Sequence, residues 1–171
     1  YRLAKITGVE RKGKSVILHF LCGKEPRFLV AELGMTGLLL FRSTLTKHPQ
    51  HTHFILHLDG CCEPDIRYWN PRRFGRLSLL DQAGLDRYVA RRFGHDPLTI
   101  SHEQFLRVLR ATRSRLKSLL MHQQVIAGIG NIYASEICYR AGIHPLRKVN
   151  SIGRKRVLKL YQATRRVLHQ A

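Results

Sequence analysis

Carboxylates are scarce in this sequence: 11 Asp and Glu stand against 30 Lys and Arg in 171 residues, a formal net charge of +19. A folded domain with that much self-repulsion suits a polyanionic partner, with nucleic acid the first candidate and an anionic membrane the second. Long apolar runs are missing as well. No stretch approaches the roughly 18 apolar residues of a membrane-spanning helix, and no signal-peptide pattern is present. The four cysteines, Cys22, Cys61, Cys62 and Cys138, form no Cys-x-x-Cys pair. They read as free thiols in a reducing compartment. A zinc site needs paired ligands at short fixed spacing. His51 and His53, with His48 close by, lack a further placed ligand. The expectation is a soluble, intracellular protein with no metal or other cofactor in this chain.

Hydrophobic residues make up 44% of the sequence, enough for a packed core, which excludes global disorder. Periodicity divides the chain in two. Up to about residue 80, short β-like runs alternate with turn residues, at 14–21, 27–33, 38–41, 54–58, 66–69 and 77–80. Strands at such close spacing suggest an antiparallel sandwich or barrel. Beyond Leu85 the pattern is helical. A short helix ends at Gly94, with Pro97 just past it, and Ser101 with Glu103 and Gln104 resembles an N-cap. A third helical segment is expected over 115–124, a fourth over 131–141 stopped by Gly142 and Pro145, and a last one capped by Ser151. The fold class predicted is α+β, with a β domain over residues 1–80 and a helical domain over 81–171.

Charge is unevenly shared. Residues 1–80 hold 13 basic and 6 acidic side chains, whereas 104–171 hold 14 basic ones against the single acid Glu136. A solvated helical face normally mixes signs. A face nearly devoid of carboxylates reads as an electrostatic footprint for phosphates.

Three segments carry candidate chemistry. In Ala127-Gly-Ile-Gly-Asn131, Gly128 and Gly130 allow a tight turn and close backbone approach, and Asn131 stands where it can cap the next helix. Exposed N–H groups at that helix start favour an anion; an ordinary helix–helix connection explains the same residues. In Arg67-Tyr-Trp-Asn-Pro-Arg-Arg-Phe-Gly75, two guanidiniums flank an aromatic at a turn, which suits phosphate contact and insertion into a base stack. From these residues alone, a buried Phe74 with solvated arginines is the better reading. Arg91-Arg-Phe-Gly94 repeats the tetrapeptide. The third segment, Leu33-Gly-Met-Thr-Gly37, taken alone is turn or core filler.

The run from Ala127 to Ile137, followed by Arg140-Ala-Gly-Ile-His-Pro145, resembles the helix–two-turns–helix signature of formamidopyrimidine-DNA glycosylases. The 67–75 segment is similar to that family's lead-in, with Asn70 in place of the usual Asp, and Gly94-His-Asp-Pro-Leu98 is similar to its linker. His122-Gln-Gln124 departs from the family's acid and Lys.

The resemblance implies an N-terminal β-sandwich or barrel followed by an all-helical helix–two-turns–helix DNA-binding domain. It implies base-excision repair: excision of oxidised purines such as 8-oxoguanine and formamidopyrimidines, with abasic-site lyase activity. The partner implied is double-stranded DNA containing a damaged base or abasic site, bound by a monomer in the bacterial cytoplasm. Met35, Arg72 and Phe74 would fill the gap left by an extruded nucleotide; thioether, guanidinium and wedge suit an unstacked hole and an orphaned base. Lys14, His53, Gly128, Gly130 and Asn131 would meet the DNA backbone. The family's nucleophilic N-terminal Pro and its adjacent Glu find no counterpart at Tyr1, so no catalytic residue is expected in this chain, which should bind DNA without cleaving it. The whole enzyme would carry one structural zinc. The alternatives are a non-catalytic damaged-DNA-binding protein, an endonuclease VIII-like glycosylase for oxidised pyrimidines, and a basic RNA-binding protein.

Overall fold

The computed structural model describes residues 4–42, 49–60 and 62–170; His48 and Cys61 lie outside them. The chain divides into two compact units, residues 1–11 with 15–85, and residues 12–14 with 86–171.

The first unit is built from two antiparallel sheets. One has the order β1-β2-β3-β7, from β1 (Lys5–Lys12), β2 (Ser15–Cys22), β3 (Glu25–Glu32) and β7 (Arg76–Leu80); the other has the order β4-β6-β5, from β4 (Leu38–Phe41), β6 (Asp65–Trp69) and β5 (Thr52–His57). β3 is an inner strand whose residues Phe28, Leu29, Val30 and Ala31 are all buried, which explains its unbroken apolar run. It pairs Val30 with Ile17 of β2 on one side and Ser78 of β7 on the other. Leu18, Phe20 and Leu29 form a core cluster, and Leu56 from the second sheet packs against it.

The second unit is helical, with α1 (Gln82–Arg92) leading into it, then α2 (His102–Arg110), α3 (Leu116–Leu120), α4 (Asn131–Ala141) and α5 (Arg154–His169). Its core gathers Phe105, Leu109, Leu116, Leu120, Ile126, Ile129, Ile137, Val157 and Leu160. Ser101 caps α2 in a full capping box with Gln104. Gly142, left-handed at φ 63°, ends α4 as its position predicts.

Three local expectations fail. The helix expected over 115–124 ends at Leu120, because the chain beyond it pairs elsewhere: Gly94 N–H donates to the Gln123 carbonyl, His95 N–H to Val125, and Ala127 N–H to His95. Ser151 does not cap α5. It lies in a 3-10 turn, its hydroxyl donating to the Lys148 carbonyl, and Gly153 is the N-cap. Asn131 is not a cap either: Gly130 takes that position and Asn131 is the first helical residue.

Candidate nucleic-acid interface

Two loops of the first unit approach each other closely. The Leu33–Gly37 turn closes through Gly37 N–H to the Leu33 carbonyl at 2.9 Å. It leaves Met35 68% exposed. The second loop leaves β6 at Asn70 and enters β7 at Arg76, presenting Phe74 at 62% exposure with the Arg72 guanidinium 5.2 Å from the ring centre. Arg73, at φ 55°, is the one non-glycine with a positive φ among the described residues, a conformation that costs free energy and marks a constrained turn. The loops meet at Gly34: a Cβ there would stand 3.0 Å from both the Phe74 carbonyl carbon and the Gly75 nitrogen, and φ is 66°. Only glycine permits this backbone and this approach together.

His53 sits where the β5–β6 register shifts between Thr52 and Phe54, an irregularity that re-aims a side chain. Its Nε2 lies 2.9 Å from the Asn70 carbonyl. A carbonyl only accepts, so Nε2 carries the proton and is engaged within the protein, leaving Nδ1 for any other contact. Behind the loop, Arg67 grips the buried Asp65 through Nε to Oδ1 at 2.7 Å and Nη2 to Oδ2 at 3.1 Å. That hydrogen bonding holds the Asp65 carboxyl below the usual aspartate value, outweighing the opposing effect of desolvation.

In the second unit, Lys14 and the Gly-rich turn come together. Lys14 Nζ lies 3.6 Å from the point that a Cβ on Gly130 would occupy. Partial burial lowers the Lys14 ammonium from its ordinary value. Gly128 is held at φ 93°. Gln123 staples the turn: its Nε2 donates to the Met121 carbonyl at 2.8 Å and to the Ile129 carbonyl at 3.0 Å, and its Oε1 accepts from Gly128 N–H at 2.8 Å. Asn131 is exposed at the start of α4, whose N-cap supplies no side-chain bond. Free N–H groups, a cation and a turn without Cβ atoms make a site that suits a phosphate.

Sequence reasoning noted Gln123 only as a departure from a pattern, and gave Tyr68 and Asn70 no structural role. A Gln just past a helix end and just before a Gly-rich turn is a usable signal, since its amide can satisfy both donors and acceptors there. The single acid of the 104–171 region, Glu136, is paired with Arg140 at 2.6 Å, so it leaves the local positive field unbalanced. Some cations there also hold the fold, as Arg110 does through the Asn150 and Ile152 carbonyls and Arg165 through the Leu98 carbonyl.

Residues 2–77 match the formamidopyrimidine-DNA glycosylase N-terminal domain, and residues 93–171 match the formamidopyrimidine-DNA glycosylase H2TH domain. The chain belongs to the formamidopyrimidine-DNA glycosylase family. The formamidopyrimidine-DNA glycosylase of Moorella thermoacetica is 38% identical over 168 residues, covering 96% of this chain and 60% of that protein. Its counterpart in Thermomicrobium roseum is 37% identical over 183 residues, covering 99% and 62%. The crystal structure of the MutM (Fpg) protein from Thermus thermophilus superposes with a TM-score of 0.85 at 35% identity, covering 98% of this chain and 60% of that one. A complex between the Lactococcus lactis Fpg and abasic-site DNA has the same fold, with a TM-score of 0.85 at 24% identity over 98% of this chain and 61% of that one. This chain therefore spans about 60% of the length of the curated formamidopyrimidine-DNA glycosylases it matches.

Among the described residues no group of three His, Cys, Asp or Glu side chains is placed to hold a metal ion, so no zinc site is assigned to them. No helix among them is long and apolar enough to cross a membrane. Burial pushes the Cys138 thiol up, which suits packing rather than nucleophilic chemistry.

Proposed function

We propose that this chain is the damage-gripping part of a base-excision-repair glycosylase that removes oxidised purines from double-stranded DNA and cleaves the strand at the resulting abasic site. The reading rests above all on the close approach of two loops that each hold a large apolar side chain out in solvent, Met35 at 68% and Phe74 at 62% exposure. Exposed apolar groups of that size cost solvation free energy unless a partner covers them. A gap in a base stack is such a partner: Met35 fills the hole, Phe74 wedges the step, and Arg72 offers donors to the unpaired base. Lys14, Gly128, Gly130 and Asn131 hold a backbone phosphate, and His53 supports the Phe74 loop while its Nδ1 is free to face the backbone. The names of the curated relatives supply the substrate class.

In this reading the β-rich residues 1–80 and the helical residues 81–171 are the two working parts of a monomer acting at the bacterial nucleoid. The chain's own role is binding, with none of its side chains acting as the nucleophile.

Affinity for an abasic-site duplex, an intact duplex and a structured RNA, compared at one fixed salt concentration, tests the proposal. Preference for the abasic duplex is expected; equal affinity for all three overturns it. Incubation with an abasic-site duplex and borohydride is expected to give no covalent adduct, and efficient trapping would place a nucleophile in this chain.

A further inference from the structure

Asn70 lies at the root of the loop that carries Arg72 and Phe74, and it is 1% exposed. Its backbone N–H donates to the His51 carbonyl at 2.9 Å, and its carbonyl accepts from Arg73 N–H at 3.3 Å and from His53 Nε2 at 2.9 Å. Its side-chain Nδ2 donates to the Tyr68 hydroxyl at 2.7 Å, and that hydroxyl donates to the Glu32 carbonyl at 3.3 Å. Glu32 is the last residue of β3, immediately before the turn that presents Met35. One buried amide therefore ties the Phe74 loop to the Met35 loop through a single phenol oxygen.

The surroundings leave this relay little freedom. A Cβ on Gly75 would fall 1.9 Å from the Tyr68 hydroxyl, 2.3 Å from the Glu32 carbonyl oxygen and 2.8 Å from Asn70 Nδ2. Asn70 Oδ1 is buried without a hydrogen-bond partner. An orphaned buried acceptor is unfavourable, and an apolar pair of the same shape would serve packing alone as well or better. The amide is thus held for its other end, the bond to Tyr68.

We propose that Asn70 is the positioning residue of the gap-filling set, and that the Asn70–Tyr68–Glu32 relay fixes the Phe74 loop against the Met35 loop so that both side chains enter one base gap together. The inference rests on the reading of Met35, Arg72 and Phe74 given above. Asn70 itself touches no nucleotide. It acts by preorganisation: side chains on loops reach a target productively only when buried hydrogen bonds hold them near the required geometry.

The test uses this chain with Asn70→Ala, Tyr68→Phe and Phe74→Ala, and two duplexes, one intact and one with a tetrahydrofuran abasic site flanked by 2-aminopurine. The readouts are the abasic-to-intact affinity ratio, the 2-aminopurine fluorescence on binding, the salt dependence of binding, and the melting temperature. Wild type is expected to prefer the abasic duplex and to brighten the probe as the stack opens. Asn70→Ala and Tyr68→Phe should each lose that preference by about fivefold or more, the scale of one aromatic–base stack, with most of the brightening. Their salt slopes should match wild type, because every phosphate-facing cation is retained.

Tyr68→Phe removes one oxygen and decides the matter if Asn70→Ala does not fold. A wild type without preference, or Phe74→Ala indistinguishable from it, would sink the gap-filling reading itself. If Phe74→Ala loses the preference while folded Tyr68→Phe keeps it, the relay is overturned and that reading stands. A Tyr68→Phe chain whose salt slope also falls has loosened generally, which overturns the relay too.

Discussion

Lys14 Nζ and the missing side chain of Gly130 face one another across 3.6 Å. Gly130 has an ordinary extended backbone, φ −104° and ψ −178°, so an alanine there meets no conformational penalty. The nearest atoms, Lys14 Nζ and Cε at 3.6 and 3.8 Å, are at normal van der Waals distance. Gly130→Ala should therefore unfold within about 0.5 kcal/mol of wild type. Its methyl nevertheless occupies the space between the ammonium and the free N–H groups of α4, where a phosphate would sit. The expected result is weaker binding to intact and abasic duplexes alike, with the salt slope reduced by about 0.9 for each phosphate no longer held. Titrations at several salt concentrations measure both, and wild-type affinity in this variant would place the phosphate elsewhere.

The two Arg-Arg-Phe-Gly copies should respond oppositely to truncation. Phe74 stands in solvent, whereas Phe93 packs over Gly13, 2.5 Å from where a Cβ on it would lie, and against Tyr88 at a ring separation of 5.7 Å. Phe93→Ala should cost about 1–3 kcal/mol of stability, as the removal of a packed apolar ring does. Phe74→Ala should leave the melting temperature nearly unchanged and lower the abasic-to-intact affinity ratio, by about 1–3 kcal/mol if the ring stacks on a base. Parallel melting and binding measurements separate the two outcomes. A Phe74→Ala chain that melts early and keeps its preference would make Phe74 a core residue.

That contrast marks the limit of what the sequence conveys. Identical tetrapeptides have identical propensities, and only partners distant in the chain decide which phenylalanine is covered. Where the signal is local, the sequence is readable. The α4 end follows from Gly142, the α2 cap from Ser101 and Gln104, and the alternating runs become strands. Where the structure draws on long-range pairing, periodicity misleads. Residues 121–124 look helical, but the helix stops at Leu120 and the chain from Gln123 to Ala127 pairs with the segment around His95, and Tyr68 reaches Glu32 across 36 residues. Among the candidate site residues, Met35, Arg72 and Phe74 are singled out by the resemblance to the glycosylase family. Their types and turn contexts alone read as core or turn filler and solvated charge, and the exposure of Phe74 and Met35 comes only with the structure. The amides beneath such turns, Asn70 and Gln123, act through hydrogen bonds whose partners no spacing rule predicts.

Gln123 gives a test of that second layer. Its amide answers two carbonyls and one N–H around the Gly128 turn. Removing it strands the part-buried Ile129 carbonyl and Gly128 N–H, at about 1–3 kcal/mol for each one left without a partner, while the exposed Met121 carbonyl can turn to water. Gln123→Ala should lower stability measurably and weaken duplex binding several-fold more than Gln124→Ala, whose amide donates to the exposed Arg91 carbonyl away from the Gly128 turn. Hydrogen exchange at Gly128 should accelerate in the first variant alone, since its N–H loses its acceptor. Unchanged exchange there would show that the backbone holds the turn unaided.

The last expectation concerns acid. Arg67 holds the buried Asp65 carboxyl below its ordinary value chiefly by hydrogen bonding, on the inner strand β6 of its sheet. A carboxyl whose folded pKa is depressed contributes stability above its unfolded pKa, about 3.9. That contribution is lost as the pH falls from there through the lower folded value. Asp65→Asn abolishes the charge at every pH and leaves Arg67 without its partner. The variant should be clearly less stable than wild type at neutral pH, and the gap should narrow once the medium is more acidic than about pH 4, as the wild-type carboxyl also takes up a proton. Arg67 adds no pH dependence of its own in this range, because its guanidinium stays charged throughout. Denaturant unfolding of both proteins at neutral pH and at about pH 3 reads the difference directly. A gap that stays constant on acidification would mean that the pair acts through shape and packing rather than through charge.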